Sequence, residues 1–227
     1  MKQIDPDNLK FAILATDVAL FTLHNNELLI RITKLDRPHI KEVKSLPGGL
    51  ILPEKTALES AKIILRDKAG IDTKKLYFEQ LYTFSEIDRD PRGRVVAVAY
   101  SAYIPWEKLT ADERANTTDV WWSPVSKTGK LGYDHDKILT QAIERLKTRV
   151  EYTTLIQKML PTKFTLTEME EAYRVLLNKN IDKRNFRKKI LKLDILKKLD
   201  LQKIDGAHRP ASLYTFKQPK VQNIDIL

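Results

Sequence analysis

Residues 46–50, with the sequence Leu-Pro-Gly-Gly-Leu, and the helical pattern that follows them constrain the fold of this chain most strongly. Two glycines after a proline predict a sharp turn. Beyond the turn, apolar residues recur at helical spacing, and these are Ala57, Leu58, Ala61, Ile64 and Leu65. Gly70 suits the end of this helix because glycine readily adopts positive φ. The segment therefore predicts a glycine turn followed by a helix.

The spacing of this segment resembles the Nudix box. In that pattern a glycine is followed by five residues, Glu, seven residues, Arg-Glu, an apolar residue, one residue, Glu-Glu, one residue, Gly and an apolar residue. Residues 49–71 fit the frame at Gly49, Leu65, Gly70 and Ile71. The resemblance implies an α/β fold over residues 1–150, a Nudix α/β/α sandwich around a mixed sheet.

The catalytic positions of the box carry other residues, which are Lys55, Ile63, Ile64, Asp67 and Lys68. Active members of the family use the box glutamates to hold Mg²⁺ or Mn²⁺, and such hard cations need oxygen ligands. Positions 64, 67 and 68 share one helix face, which here offers a single carboxylate beside a lysine. Glu54 is one position out of register. We therefore expect no catalytic residues, no metal site and no required cofactor.

Composition separates the two ends of the chain. The sequence has 227 residues, 42% of them hydrophobic, and no cysteine, which excludes disulfides and zinc-thiolate sites. Neither a signal peptide nor a membrane span is evident, so we expect a soluble cytoplasmic protein. The net charge is +10, and residues 151–227 hold 16 Lys and Arg against 9 Asp and Glu. A small basic region of this kind favours a polyanionic partner, although a solvated lysine-rich surface is equally compatible.

Residues 165–193 have the pattern of two helices joined by a short turn. Thr165 and Glu168 fit a capping box at the first helix, and Asp182 is placed to cap the second. In the second helix Phe186 and Ile190 are expected to pack inward, and the outward side is basic. This arrangement is typical of a helix-turn-helix motif, in which the second helix can enter the major groove of DNA.

Two further strands, at 196–204 and 211–216, form a hairpin that is typical of a wing. With these helices and this hairpin, residues 151–227 resemble the C-terminal winged helix-turn-helix of the NrtR-like family of Nudix-related transcriptional regulators. The degenerate box upstream makes the resemblance more specific. The resemblance covers about 200 residues. It implies a homodimer that binds palindromic operator DNA and responds to a small-molecule effector, most simply as a repressor, with no membrane association.

The resemblance also implies which residues contact DNA. On the second helix, the basic residues expected to meet phosphates and base edges are Lys183, Arg184, Arg187 and Lys188. Asn185 is expected to read adenine or to support the helix cap. At the tip of the wing, His208 and Arg209 are expected to reach the adjacent backbone or minor groove.

The effector implied by the family is ADP-ribose or, in other branches, a sugar or phosphosugar, which links the chain to NAD or sugar metabolism. Arg92 and Arg94 lie in a segment, Asp-Pro-Arg-Gly-Arg, that resembles a loop of ADP-ribose-type Nudix proteins. We expect both arginines, and Arg31 in an early strand, to contact the effector. Lys68 is expected to replace the charge of the missing metal beside a pyrophosphate.

Two other functions remain compatible with the sequence. One is a hydrolase of ADP-ribose or another nucleoside-diphosphate-linked substrate with an accessory basic domain, which the missing glutamates disfavour. The other is an RNA-binding module, because winged helices also bind RNA. Three structural features are also expected: residues 38–44 form a loop, Asp134 caps a long helix, and that helix joins the two domains.

Overall fold

The computed structural model describes residues 11–37, 40–204 and 210–224. The predicted contacts His208 and Arg209 lie outside these residues. Within the described ranges, no helix is long and apolar enough to span a bilayer.

The N-terminal part is built on a mixed sheet of seven strands. They are β1 (Ile13–His24), β2 (Glu27–Arg37), β3 (Ile40–Ser45), β4 (Gly48–Leu50), β5 (Tyr77–Phe84), β6 (Val95–Tyr103) and β7 (Val120–Pro124). The main path runs β3-β2-β1-β6-β5, while β4 pairs with β1 and β7 pairs with β2. Only the β1–β6 pairing is parallel among those the structure describes. Asn25 and Asn26 make the tight β1–β2 turn at φ values of 49° and 58°.

Helices cover both faces of this sheet, as the predicted sandwich requires. In β1, Val18 and Leu20 pack in the core that includes residues of α1 (Ala57–Ala69). Ala19 and Phe21 point to the other face and pack in the core that includes residues of α3 (His135–Tyr152). Alternate residues of a strand face opposite sides, so this double burial explains why the four consecutive residues from Val18 to Phe21 are all apolar. A four-residue helix, α2 (Ala111–Arg114), precedes β7.

The expectation of a loop at residues 38–44 is wrong. This segment contains most of β3, which pairs antiparallel with β2 in the register Thr33↔Ser45 and Leu35↔Val43. The segment becomes a strand by pairing with the preceding strand β2, and its short Lys- and Glu-containing sequence carries no local signal for this pairing.

The C-terminal part forms the predicted winged helix. Its elements are β8 (Phe164–Thr165), α4 (Leu166–Leu177), α5 (Lys183–Lys192), β9 (Leu196–Lys203) and β10 (Ala211–Phe216). The capping box at Thr165 is confirmed, because its hydroxyl accepts from Glu168 N and the Glu168 carboxylate accepts from Thr165 N. Asp182 caps α5 by accepting from Asn185 N at 2.7 Å. The strands pair in the order β8-β10-β9.

One apolar core connects the sheet to the winged helix. It contains Ile138 and Leu146 of α3 together with Met169 and Tyr173 of α4 and Phe186 of α5. The two predicted domains therefore meet over α3, whose 18 residues span about 27 Å.

Candidate functional site

A cavity of about 730 Å³ opens beside the glycine turn, on the α3 side of the box. Its volume falls in the range of small-molecule sites. Four cationic and four acidic side chains of the described residues line it, namely Lys34, Lys68, Arg89, Arg92, Asp17, Asp36, Asp90 and Asp119. Tyr133 and His135 also line it. The cavity thus offers donors for an anion and acceptors for hydroxyl groups.

The glycine turn is shaped by the carboxylate beneath it. A Cβ on Gly48 would lie 2.0 Å from Asp17 Oδ1, so only glycine fits here. The backbone of the turn is bound to β1, because Val18 N donates to Pro47 O at 2.9 Å. Asp17 is buried and lies at the floor of the cavity.

Arg89 joins two parts of the cavity floor. Its Nε and Nη2 donate to the two carboxylate oxygens of Asp134 at 2.9 and 2.7 Å, and Nη2 lies 3.4 Å from Asp17 Oδ2. All three side chains are buried. The expectation that the Asp134 side chain caps α3 is wrong: Asp134 occupies the N-cap position without a capping hydrogen bond, because its carboxylate pairs with Arg89 instead.

His135 is fixed beside the same cluster. Its Nδ1 accepts from Leu46 N at 3.0 Å, and its Nε2 lies 3.5 Å from Asp17 Oδ1. An acceptor Nδ1 places the proton of the neutral ring on Nε2, facing Asp17. The first turn of α3 is therefore tied to Leu46, which precedes the Pro-Gly-Gly turn, and lies against Asp17 of β1.

Lys68 lies where an active enzyme of the sandwich fold would present a metal-binding carboxylate. Lys68 lines the cavity, and its Nζ donates to Gly48 O at 2.6 Å. The neighbouring Asp67 is exposed and binds Arg66 at 2.6 Å. In the described ranges, no three His, Cys, Asp or Glu side chains cluster as a metal ion requires. The residues present at the box thus do not fit Mg²⁺ or Mn²⁺.

Arg92 forms the upper edge of the cavity. Two of its nitrogens donate to the Asp90 carboxylate at 2.9 and 2.6 Å, and its guanidinium lies 5.5 Å from the centre of the Tyr133 ring. The hydrogen bonds from the Arg92 side chain hold the pKa of Asp90 below its usual range. The guanidinium is half exposed and remains accessible to a ligand.

Arg31 lies away from this cavity, contrary to the sequence-based expectation. It is buried and donates to Ala69 O, at the end of α1, through Nε and Nη2 at 3.3 and 3.1 Å. Its guanidinium also lies 5.2 Å from the centre of the Trp122 ring. Burial lowers the pKa of Arg31 to about 10, and Coulombic attraction to Glu113 opposes the shift. Arg31 thus stabilises the helix end.

Arg94 also lies outside the cavity lining. Its Nη1 donates to Ser85 O and Glu86 O at 2.7 and 3.1 Å, across the loop that carries Arg89. Of the four predicted effector contacts, Lys68 and Arg92 line the same cavity. Sequence reasoning missed Asp17 and Arg89 because their partners are remote in the chain; the only local signal is that Arg89 immediately precedes the predicted Asp-Pro-Arg-Gly-Arg loop.

The outer face of α5 is basic and exposed, as predicted. Arg184 and Lys188 are exposed, and the hydrogen bonds and ion pairs of the described residues include none from their side chains. Arg187 Nη2 donates to Thr167 Oγ1 at 2.9 Å, and Lys183 Nζ lies 3.8 Å from Glu170 Oε1. Asn185 is exposed, and its backbone N–H completes the Asp182 cap.

Comparisons with known proteins agree with this architecture. The sequence model of the NrtR DNA-binding winged helix domain matches residues 156–216. The chain is 32% identical over 208 residues to the ADPR-responsive transcriptional repressor NtrR of Acinetobacter baylyi, which covers 90% of this chain and 82% of that protein.

Two solved structures from Shewanella oneidensis are also similar. NrtR in complex with a 27mer DNA has a TM-score of 0.79 and 30% identity, covering 90% of this chain and 93% of that chain. The Nudix domain of NrtR in complex with ADP-ribose has a TM-score of 0.53 and 30% identity, covering 63% of this chain and 94% of that chain.

Proposed function

This chain belongs to the NrtR family of transcriptional repressors with a Nudix-type domain and a winged helix, and from that premise we propose how its own residues act. In the proposal, it binds operator DNA through α5 and the wing, and a ligand in the Nudix-type cleft changes its affinity for that DNA. The ligand is ADP-ribose, and two copies of the chain bind a palindromic operator. The single observation that carries the proposal is that one chain combines a basic, exposed helix with a cleft that contains lysine and arginine side chains and lacks the box glutamates.

DNA binding is supported by the chemistry of α5. Lys183, Arg184, Arg187 and Lys188 lie on the exposed side of the helix, while Phe186 fixes the opposite side in the core. A helix held in this way can present arginine and lysine to phosphates and to guanine edges. Asn185, His208 and Arg209 remain proposed contacts at the start of α5 and at the tip of the wing.

ADP-ribose as the effector is supported by the residues around the cleft. Lys68, Arg89 and Arg92 supply three cations for a pyrophosphate, and arginine forks suit phosphate oxygens. Asp36 and Asp119 at the β2–β7 side offer acceptors for ribose hydroxyls. A plain sugar would bring no anion to these three cations, so arabinose and xylose serve as comparators.

The absence of hydrolytic activity is part of the proposal. The box offers Lys68 and Asp67 where two glutamates are needed, and Lys55 and Ile64 at the other acidic positions. Hydrolysis of ADP-ribose would need a metal-bound pyrophosphate and an activated water. We therefore expect the cleft to bind ADP-ribose without cleaving it.

The test is a titration of fluorescent duplex fragments from upstream of its own and neighbouring genes, read by anisotropy at two salt concentrations. We expect one fragment to bind selectively, with an affinity that falls as salt rises and that ADP-ribose changes. Equal binding to every duplex and to single-stranded RNA would contradict the proposal.

A parallel assay follows AMP release from ADP-ribose in the presence of Mg²⁺. Release that is abolished by Asp67→Asn or Glu54→Gln would make the hydrolase the correct function. Lys68→Ala is the matched variant for binding, because it removes one cleft cation and leaves α5 untouched.

A further inference from the structure

Arg89 has one guanidinium nitrogen that its internal contacts leave available. Nε and Nη2 are used by Asp134 and Asp17, whereas the hydrogen bonds of the described residues include none from Nη1. Arg89 also lines the cavity. A guanidinium held on two sides and open on the third suits a phosphate or carboxylate oxygen, since such charge-assisted bonds are strong.

A ligand anion at this nitrogen would compete with Asp134. Two buried carboxylates, Asp17 and Asp134, already share the one guanidinium. A third negative group beside them competes for the donors of Arg89 and repels both carboxylates, and this repulsion is large where water is scarce. Asp17 also lies 3.5 Å from His135 Nε2, whereas Arg89 is the only hydrogen-bond partner of the Asp134 carboxylate among the described residues. Competition therefore falls mainly on Asp134.

Asp134 is the residue at the start of α3, so a change at its carboxylate acts on that helix. The far half of α3 places Leu146 and Val150 in the core shared with Met169 and Tyr173 of α4. A helix that is held at one end by the cleft and packed at the other against the winged helix can carry a small shift between them.

We propose that the Arg89–Asp134 ion pair is the contact by which an anion in the cleft acts on the DNA-binding part, with Asp134 as the positioning residue of α3. The inference rests on the proposed function and assigns the regulation of the same cleft. Arg89 binds the pyrophosphate, Asp134 loses part of its hold on Arg89, and the first turn of α3 moves relative to β1.

The experiment measures the dissociation constant for the selected duplex with and without saturating ADP-ribose. The wild-type ratio should fall in the range of allosteric coupling, about 5- to 150-fold. Asp134→Asn keeps the shape of the side chain and removes the charge, and its ratio should fall below about 2-fold. The same variant should bind ADP-ribose at least as tightly as the wild type, because the competing carboxylate is gone. A role limited to stability would not produce that second result.

Asp136→Asn is the matched control. Asp136 lies in the same first turn and accepts from Leu131 N, but it makes no described contact with Arg89. The Asp136→Asn substitution removes the same charge from the helix N-terminus and should leave the ratio of the two DNA dissociation constants at its wild-type value. If Asp134→Asn does not fold, Arg89→Lys replaces it, because lysine keeps the cation but cannot donate from two nitrogens to Asp134.

The outcomes separate the two proposals. A wild-type ratio of one overturns the proposed function and this coupling with it. A wild-type response that Asp134→Asn, or Arg89→Lys in its place, retains in full overturns the coupling alone. An equal loss of response in Asp136→Asn also overturns the coupling, because the helix charge and not the ion pair would then explain the effect.

Discussion

The two sets of basic side chains in this protein are held in opposite ways. In the cleft, the Arg89 side chain is 4% exposed and its charge is matched by two buried carboxylates. On α5, the Lys183 side chain is 68% exposed, and its nearest carboxylate oxygen, on Glu170, is 3.8 Å away. A cation held by internal partners is fixed in position, whereas an exposed one is free to adapt to a flexible polyanion.

This difference explains how one chain can recognise two kinds of phosphate. A small ligand gains affinity when its partners are preorganised, since few side chains must then be ordered on binding. DNA binding draws on the release of counterions by many exposed cations and tolerates mobile lysines and arginines. The buried pairs of the cleft and the exposed face of α5 fit these two requirements.

The largest contrast should come from removing one arginine of each set. Arg89→Met leaves Asp17 and Asp134 buried without their cation, and we expect a loss of about 3–5 kcal/mol in the free energy of unfolding. Arg184→Met on α5 should leave that free energy near the wild-type value. Urea unfolding followed by circular dichroism measures both, and equal losses would contradict the contrast.

The next effect concerns DNA affinity. Arg184→Ala and Lys188→Ala should each weaken operator binding, by about 1–3 kcal/mol where a base contact is lost. Where the lost contact is to phosphate, the slope of log affinity against log salt should fall by about 1. Anisotropy titrations at several salt concentrations give both quantities. Lys68→Ala is the control from the cleft, and a change in its salt slope would refute the separation of the two sets.

An effect of similar size is expected for ADP-ribose binding. Lys68→Met removes one charge-assisted hydrogen bond, and we expect ADP-ribose affinity to fall by about 1.5–3 kcal/mol. Arg94→Ala should leave that affinity unchanged, because Arg94 binds Ser85 O and Glu86 O outside the cleft. Isothermal titration calorimetry compares the two variants. A stronger effect of Arg94→Ala than of Lys68→Met would restore Arg94 as an effector contact.

The smallest effect is the dependence of stability on acid. The Arg92 hydrogen bonds lower the pKa of Asp90 in the folded protein. A lowered folded pKa gives stability that is present above the unfolded value of about 3.9 and is lost as pH falls through the folded value. The difference in unfolding free energy between wild type and Asp90→Asn should therefore shrink as the pH falls from about 5 through the unfolded value. A difference that stays constant over this range would show that the Asp90 charge does not contribute.

Local signals predicted most of the fold. The capping box at Thr165, the cap at Asp182 and the glycine end of α1 each depend on residues within a few positions, and the structure has all three. The α1 and α5 helices follow from apolar periodicity. The edge strand β3 was not predicted, because its own sequence has no strand pattern and its pairing with β2 is a property of the folded chain.

The cleft was predicted only in part, for a related reason. Arg89 is 45 residues from Asp134 and 72 from Asp17, and no local pattern links positions so far apart. A strand arginine such as Arg31 has two faces available, and the sequence does not say which one borders a ligand. The structure directs Arg31 to the end of α1.

The measurement that tests the central claim most directly is the affinity of ADP-ribose for the full chain, free and saturated with its selected duplex, by calorimetry. Linkage requires a ligand that changes DNA binding to be bound with an affinity that DNA changes by the same factor. We predict that the two affinities differ by about 5- to 150-fold. Equal affinities would contradict the account, because the cleft and the recognition helix would then act independently.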